Sequence, residues 1–160
     1  MPFKALKYGD DISTDLIIAG KYTKSLNVQD LAEHAMEDLD PDFKAKAKDG
    51  AVVVCGKYFG CGSSREQAPV ALMAAGVKAV AAKSFARIFY RNAINIGLPL
   101  LECDTDGIDD GDILDFKAGD DFVLNVTKHA RIPVRPMPEI MVRILDAGGV
   151  VPFLKKHGRF

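Results

Sequence analysis

Residues 52–67 read Val52-Val53-Val54-Cys55-Gly56-Lys57-Tyr58-Phe59-Gly60-Cys61-Gly62-Ser63-Ser64-Arg65-Glu66-Gln67, and an alanine-rich apolar segment follows. The β-branched run is typical of a buried strand, and the segment with three glycines is typical of a loop that leads into a helix. The first backbone N–H groups of a helix have no partner within it, and the helix dipole is positive there. This stretch therefore predicts a strand, a loop and a helix start that binds an anion.

Strand and helix patterns alternate on both sides of this stretch. Strands are predicted at 3–8, 51–55, 78–82 and 99–101, and helices at 28–36, 41–47, 64–75 and 84–96. Short strands at 113–116, 122–126 and 132–134 then precede a last helix at 138–147 and a basic tail. The alternation favours a partly parallel sheet with right-handed crossovers. We therefore predict one α/β domain over residues 1–160, with a mixed sheet or barrel core and flanking helices.

The composition narrows the classes of partner. The 160 residues are 48% hydrophobic and 27% charged, and their formal net charge of −1 gives no reason to expect nucleic acid or an anionic membrane. Three cysteines without a C-x-x-C pair predict neither a disulfide framework nor a self-contained metal site. The N-terminus lacks a secretion signal, and no apolar window is long enough to cross a bilayer. These features predict a cytoplasmic protein that binds a small ligand or another protein.

The spacing of the loop excludes three familiar sites. A P-loop needs Gly-Lys-Ser/Thr at the helix start, but Gly56-Lys57 is followed by Tyr58. A dinucleotide fingerprint needs a third glycine where Arg65 stands. The G-x-S-x-G elbow of hydrolases is absent from the sequence.

Two serines at the predicted helix start leave two interpretations open. Ser63-x-x-Glu66 and Ser64-x-x-Gln67 both have capping-box spacing, so either serine could serve only as a cap. One cap leaves the other hydroxyl free to bind an anion beside Arg65, whose guanidinium suits a carboxylate. Proton abstraction by that serine would need a metal or cluster that this chain has no ligand set for, which indicates a partner subunit. A non-catalytic module that holds phosphate or carboxylate is the alternative from another class.

A further group of side chains lies near the N-terminus. In Asp11-Ile12-Ser13-Thr14-Asp15, two carboxylates flank two hydroxyls. Such residues commonly bind nearby backbone groups in turns and caps. Asp15 is the member of this group that we consider as a site residue.

Several motifs together resemble a known family. The run from Tyr58 to Glu66 is followed by Lys83-Ser84-Phe85-Ala86-Arg87-Ile88, by Asn92 and by Gly97-Leu98-Pro99, and Asp11 to Asp15 and Ala147-Gly148-Gly149 also match. This set resembles the swivelling domain of the aconitase superfamily, in particular the isopropylmalate isomerase and homoaconitase small-subunit family. The resemblance spans nearly the whole chain.

The resemblance implies a β/β/α swivelling domain that closes over an active site on a large subunit. That subunit would carry a [4Fe-4S] cluster, this chain would bind no cofactor or metal itself, and the two would form a heterodimer or heterotetramer. The implied reaction is that of a hydro-lyase that moves a hydroxyl between adjacent carbons of a small hydroxy-dicarboxylate. For this family it interconverts 2-isopropylmalate and 3-isopropylmalate in leucine biosynthesis, with the substrates of homoaconitase or dimethylmalate dehydratase as alternatives.

The resemblance also implies roles for individual residues. Ser63 would be the base that abstracts the carbon-bound proton, with Asp15 supporting the catalytic site. Ser64 and Arg65 would bind a substrate carboxylate. The loop from Lys21 to Asn27 would contact the variable substituent, so Tyr22 and Lys24 are expected to bind substrate. Aconitase-type enzymes place an arginine in that loop, which has none in this sequence.

Overall fold

The computed structural model describes residues 2–25 and 27–159, so position 26 of the predicted substrate loop lies outside the described residues. Within these ranges the chain forms seven strands and seven α-helices. The strands are β1 (Pro2–Lys7), β2 (Ala51–Val54), β3 (Val77–Ala82), β4 (Leu100–Glu102), β5 (Ile113–Asp115), β6 (Phe122–Asn125) and β7 (Ala130–Pro133). The helices are α1 (Thr14–Ile17), α2 (Val28–His34), α3 (Phe43–Ala47), α4 (Gln67–Ala75), α5 (Arg87–Asn95), α6 (Glu139–Ala147) and α7 (Val150–His157), and a 3-10 turn spans Gly20–Tyr22.

The strands form one mixed sheet in the order β4-β3-β2-β1-β5-β6-β7. The first four strands of the chain pair in parallel, and β5, β6 and β7 pair antiparallel beyond β1. A bridge between Cys103, just after β4, and Val134, just after β7, links the two edges of the sheet. The sheet is therefore curled into a half-barrel, which confirms the predicted mixed sheet or barrel core.

The sheet buries apolar side chains on both faces. Leu6, Val53 and Val80 face the helices and pack in one cluster with residues of α4 and α5. Their neighbours along the strands, Ala5 and Val52 among them, face the other way and pack against the antiparallel half of the sheet. Successive side chains of a strand point to opposite faces, which explains why the central strands are apolar throughout.

The predicted strands and helices occur in the predicted order, but helix α1 was not predicted, and several other helix assignments differ from the structure. Helix α4 begins at Gln67 and α5 at Arg87, each three residues after its predicted start. The tail was assigned no helix, yet α7 forms after the left-handed Gly148 and Gly149 and buries Phe153 completely. Pro152 falls in the first turn of α7, where a helix tolerates proline.

One apolar residue of α5 does not belong to the core. The side chain of Ile88 is 47% exposed. The buried residues of α5 are Phe89, Ala93 and Ile94, which turns Ile88 outward.

Candidate active site

The candidate site lies where the parallel strands β1, β2 and β3 end. The segment after β1 pairs with the loop after β2, since Gly60 N–H donates to the Ile12 carbonyl at 2.8 Å and Thr14 N–H donates to the Cys61 carbonyl at 2.8 Å. The carboxyl ends of parallel strands form an edge at which α/β proteins commonly bind ligands. Residues 11–15 and 60–65 are thereby brought together from two distant parts of the chain.

The loop between β2 and α4 is fixed in its path by the next connection. Phe59 N–H donates to the Ser84 carbonyl at 3.0 Å, and Ala86 N–H donates to the Phe59 carbonyl at 2.9 Å. Gly60 has a φ of +84°, and a Cβ added there would collide with the ring of Phe89. The position therefore needs glycine for two reasons, conformation and space.

The interpretation of the two serines as helix caps is wrong. The helix begins at Gln67, the residue before it is Glu66, and no side chain caps its first turn. Ser63 and Ser64 lie in the loop ahead of the helix, and both are exposed. Among the described residues, none accepts a hydrogen bond from the backbone N–H of Ser63 or Ser64. Both serine residues are thus accessible in the loop, and their N–H groups have no acceptor among the described residues.

Ser63 makes its protein contacts with Thr14 of helix α1. The Thr14 hydroxyl donates to the Ser63 carbonyl at 3.1 Å, and the two hydroxyl oxygens lie 3.2 Å apart. Thr14 is 2% exposed, so its hydroxyl is buried beneath the serine. Sequence reasoning read Thr14 as part of a turn and missed this contact, because only the fold brings residue 14 beside residue 63.

Asp15 and Arg65 form an ion pair at the same edge. Arg65 Nη1 donates to Asp15 Oδ1 at 2.7 Å and to the Ile18 carbonyl at 3.1 Å. The hydrogen bond from Arg65, together with its charge, holds the pKa of Asp15 below its ordinary value. The carboxylate is 69% exposed and the guanidinium 25% exposed, so the pair lies at the surface with the arginine partly covered. Asp15 thus orients a cation beside Ser64.

The predicted substrate loop lies against this ion pair. A Cβ added to Gly20 would stand 3.0 Å from Arg65 Nη2, and the Gln67 side-chain amide donates to the Thr23 carbonyl at 3.2 Å. Tyr22 is partly buried by its ring contacts, whereas Lys24 is exposed on the turn that follows. The structure therefore brings Asp15, Ser63, Ser64 and Arg65 together and places the loop that carries Tyr22 and Lys24 beside them. Gly20 and Gln67 are additional members that the sequence alone did not indicate.

The three cysteines do not form a ligand set. Cys55 and Cys103 belong to the two apolar clusters on opposite faces of the sheet, and burial raises the pKa of both thiols, to about 12 for Cys103. Cys61 is partly exposed beside the candidate site. Within residues 2–25 and 27–159, no three His, Cys, Asp or Glu side chains are grouped as a metal site. Iron–sulfur clusters are held by several Cys thiolates, so the residues of this chain do not fit such a group.

The exposed Ser63 and Ser64 lie at the surface. A cavity of about 350 Å³ lies elsewhere, between α5 and α6, and is lined by Tyr90, Ile94 and Met141 among others. No helix in the described residues is long and apolar enough to cross a membrane. The candidate site therefore presents two exposed serines and a guanidinium paired with Asp15 at the surface of the described residues.

Comparisons with known proteins agree over almost the whole chain. Residues 7–105 match the family described as the aconitase C-terminal domain. The sequence is 58% identical over 156 residues to 3-isopropylmalate dehydratase small subunit 2 of Archaeoglobus fulgidus, covering 97% of this chain and 94% of that protein. It is 48% identical over 161 residues to the 3-isopropylmalate dehydratase small subunit of Caldanaerobacter subterraneus, covering 99% of this chain and all of that protein.

A solved structure gives the same result for the fold. The crystal structure of 3-isopropylmalate dehydratase (leuD) from Methanocaldococcus jannaschii matches with a TM-score of 0.93 and 46% identity, covering 98% of this chain and 94% of that one. Sequence and fold thus agree over nearly the full length of both proteins. The chain belongs to the family of the aconitase C-terminal domain, among the small subunits of 3-isopropylmalate dehydratases.

Proposed function

We propose that this chain is the small subunit of a 3-isopropylmalate dehydratase, a hydro-lyase that interconverts 2-isopropylmalate and 3-isopropylmalate in leucine biosynthesis. The observation that carries the proposal is the 58% identity over nearly the whole chain to a small subunit of that name. The open arrangement of Ser63, Ser64 and Arg65 supports it, because it offers polar groups for a dicarboxylate from one side only.

The reaction removes water and adds it back at the neighbouring carbon. A base takes the proton from one carbon while the hydroxyl leaves the adjacent carbon, and hydration in the opposite sense gives the isomer. We assign the base to Ser63, whose exposed hydroxyl is backed by Thr14. In this role Thr14 is a positioning residue, since it contacts the serine and lies beneath it.

The groups next to Ser63 would bind a carboxylate of the substrate. A guanidinium binds a carboxylate strongly. The Arg65 guanidinium is held in place by Asp15, to which it donates a hydrogen bond of 2.7 Å. Ser64 adds a hydroxyl and an N–H group on the same side. Tyr22 and Lys24 would face the variable substituent from the loop beside Arg65.

The hydroxyl that leaves must be activated by a group outside this chain. The cysteines of this chain do not fit an iron–sulfur cluster, so we assign the [4Fe-4S] cluster to the large subunit. The two subunits would form a heterodimer or heterotetramer with the candidate site at their contact. We expect both to be cytoplasmic.

Reconstitution tests this proposal. The chain purified alone is expected to be inactive, and anaerobic mixing with the cluster-bearing large subunit is expected to give isopropylmalate dehydratase activity. Dehydratase activity of the isolated chain, or stoichiometric iron bound to it, would contradict the assignment of the cluster to a partner.

Calorimetry separates the enzyme subunit from a non-catalytic anion-binding module. Half of an enzyme site binds its ligand weakly, so we expect no heat of binding for isopropylmalate, citrate or phosphate with the chain alone at micromolar concentrations. Tight binding of one of these anions without the large subunit would favour the module.

A further inference from the structure

The loop beside Arg65 is attached to the candidate site on its inner side. The backbone N–H of Gly20 faces the Asp15 carboxylate, and Gly20 packs against the Arg65 guanidinium. Three residues on, the Thr23 carbonyl accepts a hydrogen bond from Gln67 at 3.2 Å. The 3-10 turn Gly20–Tyr22 buries none of its own residues fully, and its partly buried Tyr22 packs against the edge of the apolar core. These polar contacts hold the loop in addition to that packing.

On its outer side the loop is attached to helix α2. The ring of Tyr22 stacks on the ring of His34, with centroids 3.8 Å apart and planes within 3° of parallel. The Lys21 ammonium also lies near the Tyr22 ring, 5.1 Å from its centroid. Stacked aromatic rings fix each other's orientation as well as their distance.

Glu37 completes this outer attachment. His34 Nδ1 lies 2.8 Å from Glu37 Oε2, which fixes the plane of the imidazole. Burial alone would raise the pKa of Glu37, but contacts with His34 and with the Tyr22 hydroxyl outweigh it and lower that pKa. His34 and Glu37 are each about one-third exposed, so neither is a core residue whose removal would leave a cavity.

From these contacts we propose that His34 and Glu37 are positioning residues for the substrate loop. They hold Tyr22, and through Tyr22 the whole segment from Gly20 to Ser25, at the distance from Arg65 that the substrate's variable substituent requires. Neither residue touches the reacting atoms in this account. The inference rests on the proposed function for the identity of the substrate, but the attachment itself does not depend on it.

Steady-state kinetics of the reconstituted enzyme test the effect on substrate binding. We expect His34→Ala to raise KM for isopropylmalate about tenfold with kcat changed less than about threefold, because a displaced loop weakens binding equally in the ground and transition states. His34→Phe keeps an aromatic ring for the stack, so KM is expected within about threefold of the wild type. The matched control is His157→Ala, since His157 also packs on an aromatic ring, Phe153, but in helix α7.

Limited trypsin digestion of the chain tests the attachment without any activity. Lys21 and Lys24 lie in the loop, and cleavage after them reports how often the loop opens. We expect His34→Ala to increase the rate of cleavage at these two lysines at least about fivefold over wild type, and His157→Ala to leave it unchanged.

The kinetic and digestion experiments test different parts of the proposal. Unchanged cleavage in His34→Ala would overturn the attachment itself. Faster cleavage with an unchanged KM, or a KM raised equally by His34→Phe, would overturn the role in substrate binding. If the wild-type complex does not convert isopropylmalate, the proposed function fails, while the digestion still decides whether His34 holds the loop.

Discussion

Ser63 is the residue on which the proposed chemistry depends. Its hydroxyl is exposed, its carbonyl and hydroxyl both contact the buried Thr14, and it lies outside the helix that follows. A serine that capped the helix would be needed for stability, whereas a serine held open on a loop is available for proton transfer. The geometry therefore separates two roles that the sequence left open.

Ser63→Ala is expected to reduce kcat of the reconstituted enzyme by at least about 100-fold, because the base is lost. The free energy of unfolding should change by less than about 0.5 kcal/mol, since an exposed side chain is removed. The matched control is Ser13→Ala, because Ser13 does cap a helix and accepts the Leu16 N–H at 3.2 Å. That control is expected to lose about 1 kcal/mol of stability while kcat falls less than about tenfold. The reverse pattern, with stability lost at Ser63 and turnover kept, would restore the capping interpretation.

The three thiols are expected to differ in reactivity. Cys55 and Cys103 are buried and their pKa values are raised, whereas Cys61 is partly exposed. Because the thiolate is the reactive form, iodoacetamide should label Cys61 first in the native chain. Peptide mass spectrometry measures the order in which the three thiols are labelled. Labelling should also abolish activity, since Cys61 lies two residues from Ser63. Equal labelling of all three thiols under native conditions would contradict this burial.

At the scale of elements, the parts with strong periodicity follow from the sequence. The apolar strands β2 and β3 and the end of α4 at residue 75 were predicted, because their patterns are local. The late start of α5 was not, since Phe59 pairs with the segment before it and keeps that segment extended. The same reason applies to the site, where Ser63, Arg65 and Asp15 were identified from the motif but Thr14 and Gln67 needed the tertiary contacts.

Helix α7 is an element that the sequence analysis missed, and its contribution to stability can be measured. Phe153 is fully buried by its neighbouring helices, so Phe153→Ala is expected to reduce the free energy of unfolding by about 3–5 kcal/mol. Its neighbour Leu154 is 37% exposed, so Leu154→Ala should cost about 1 kcal/mol or less in the same urea titration. An equal loss of unfolding free energy in the two variants would mean that α7 does not pack on the core as described.

For the whole molecule, surface ion pairs predict how stability depends on pH. Hydrogen bonds and charge from Arg65 and Lys83 lower the pKa values of Asp15 and Asp106 below the ordinary 3.8, and Asp106 raises that of Lys83 above 10.5. A carboxyl with a lowered pKa contributes stability above its ordinary pKa and loses it as the pH falls through the lowered value. The lysine contribution is present below its ordinary pKa and is lost as the pH rises through the raised one.

The free energy of unfolding contributed by these pairs should therefore be constant between about pH 5 and pH 9 and decline outside that range. Urea titrations across pH check this, with Asp106→Asn as the test variant. The variant is expected to lose less stability than wild type between pH 5 and pH 2, because its side chain has no proton to take up. An identical acid decline in both proteins would show that the Lys83 pair does not affect stability.

In the proposed function this chain forms one side of the active site and a large subunit forms the other, so the central claim concerns which substrate the complex converts. The most direct measurement is kcat/KM of the reconstituted enzyme for isopropylmalate, homocitrate, citrate and dimethylmalate under anaerobic conditions. We expect the highest kcat/KM for isopropylmalate, by at least about tenfold, because one apolar group more or less in a pocket changes kcat/KM by about 10- to 200-fold. A higher kcat/KM for homocitrate or citrate, with Lys24→Ala abolishing that preference, would contradict the assignment and place a third carboxylate on the loop beside Arg65.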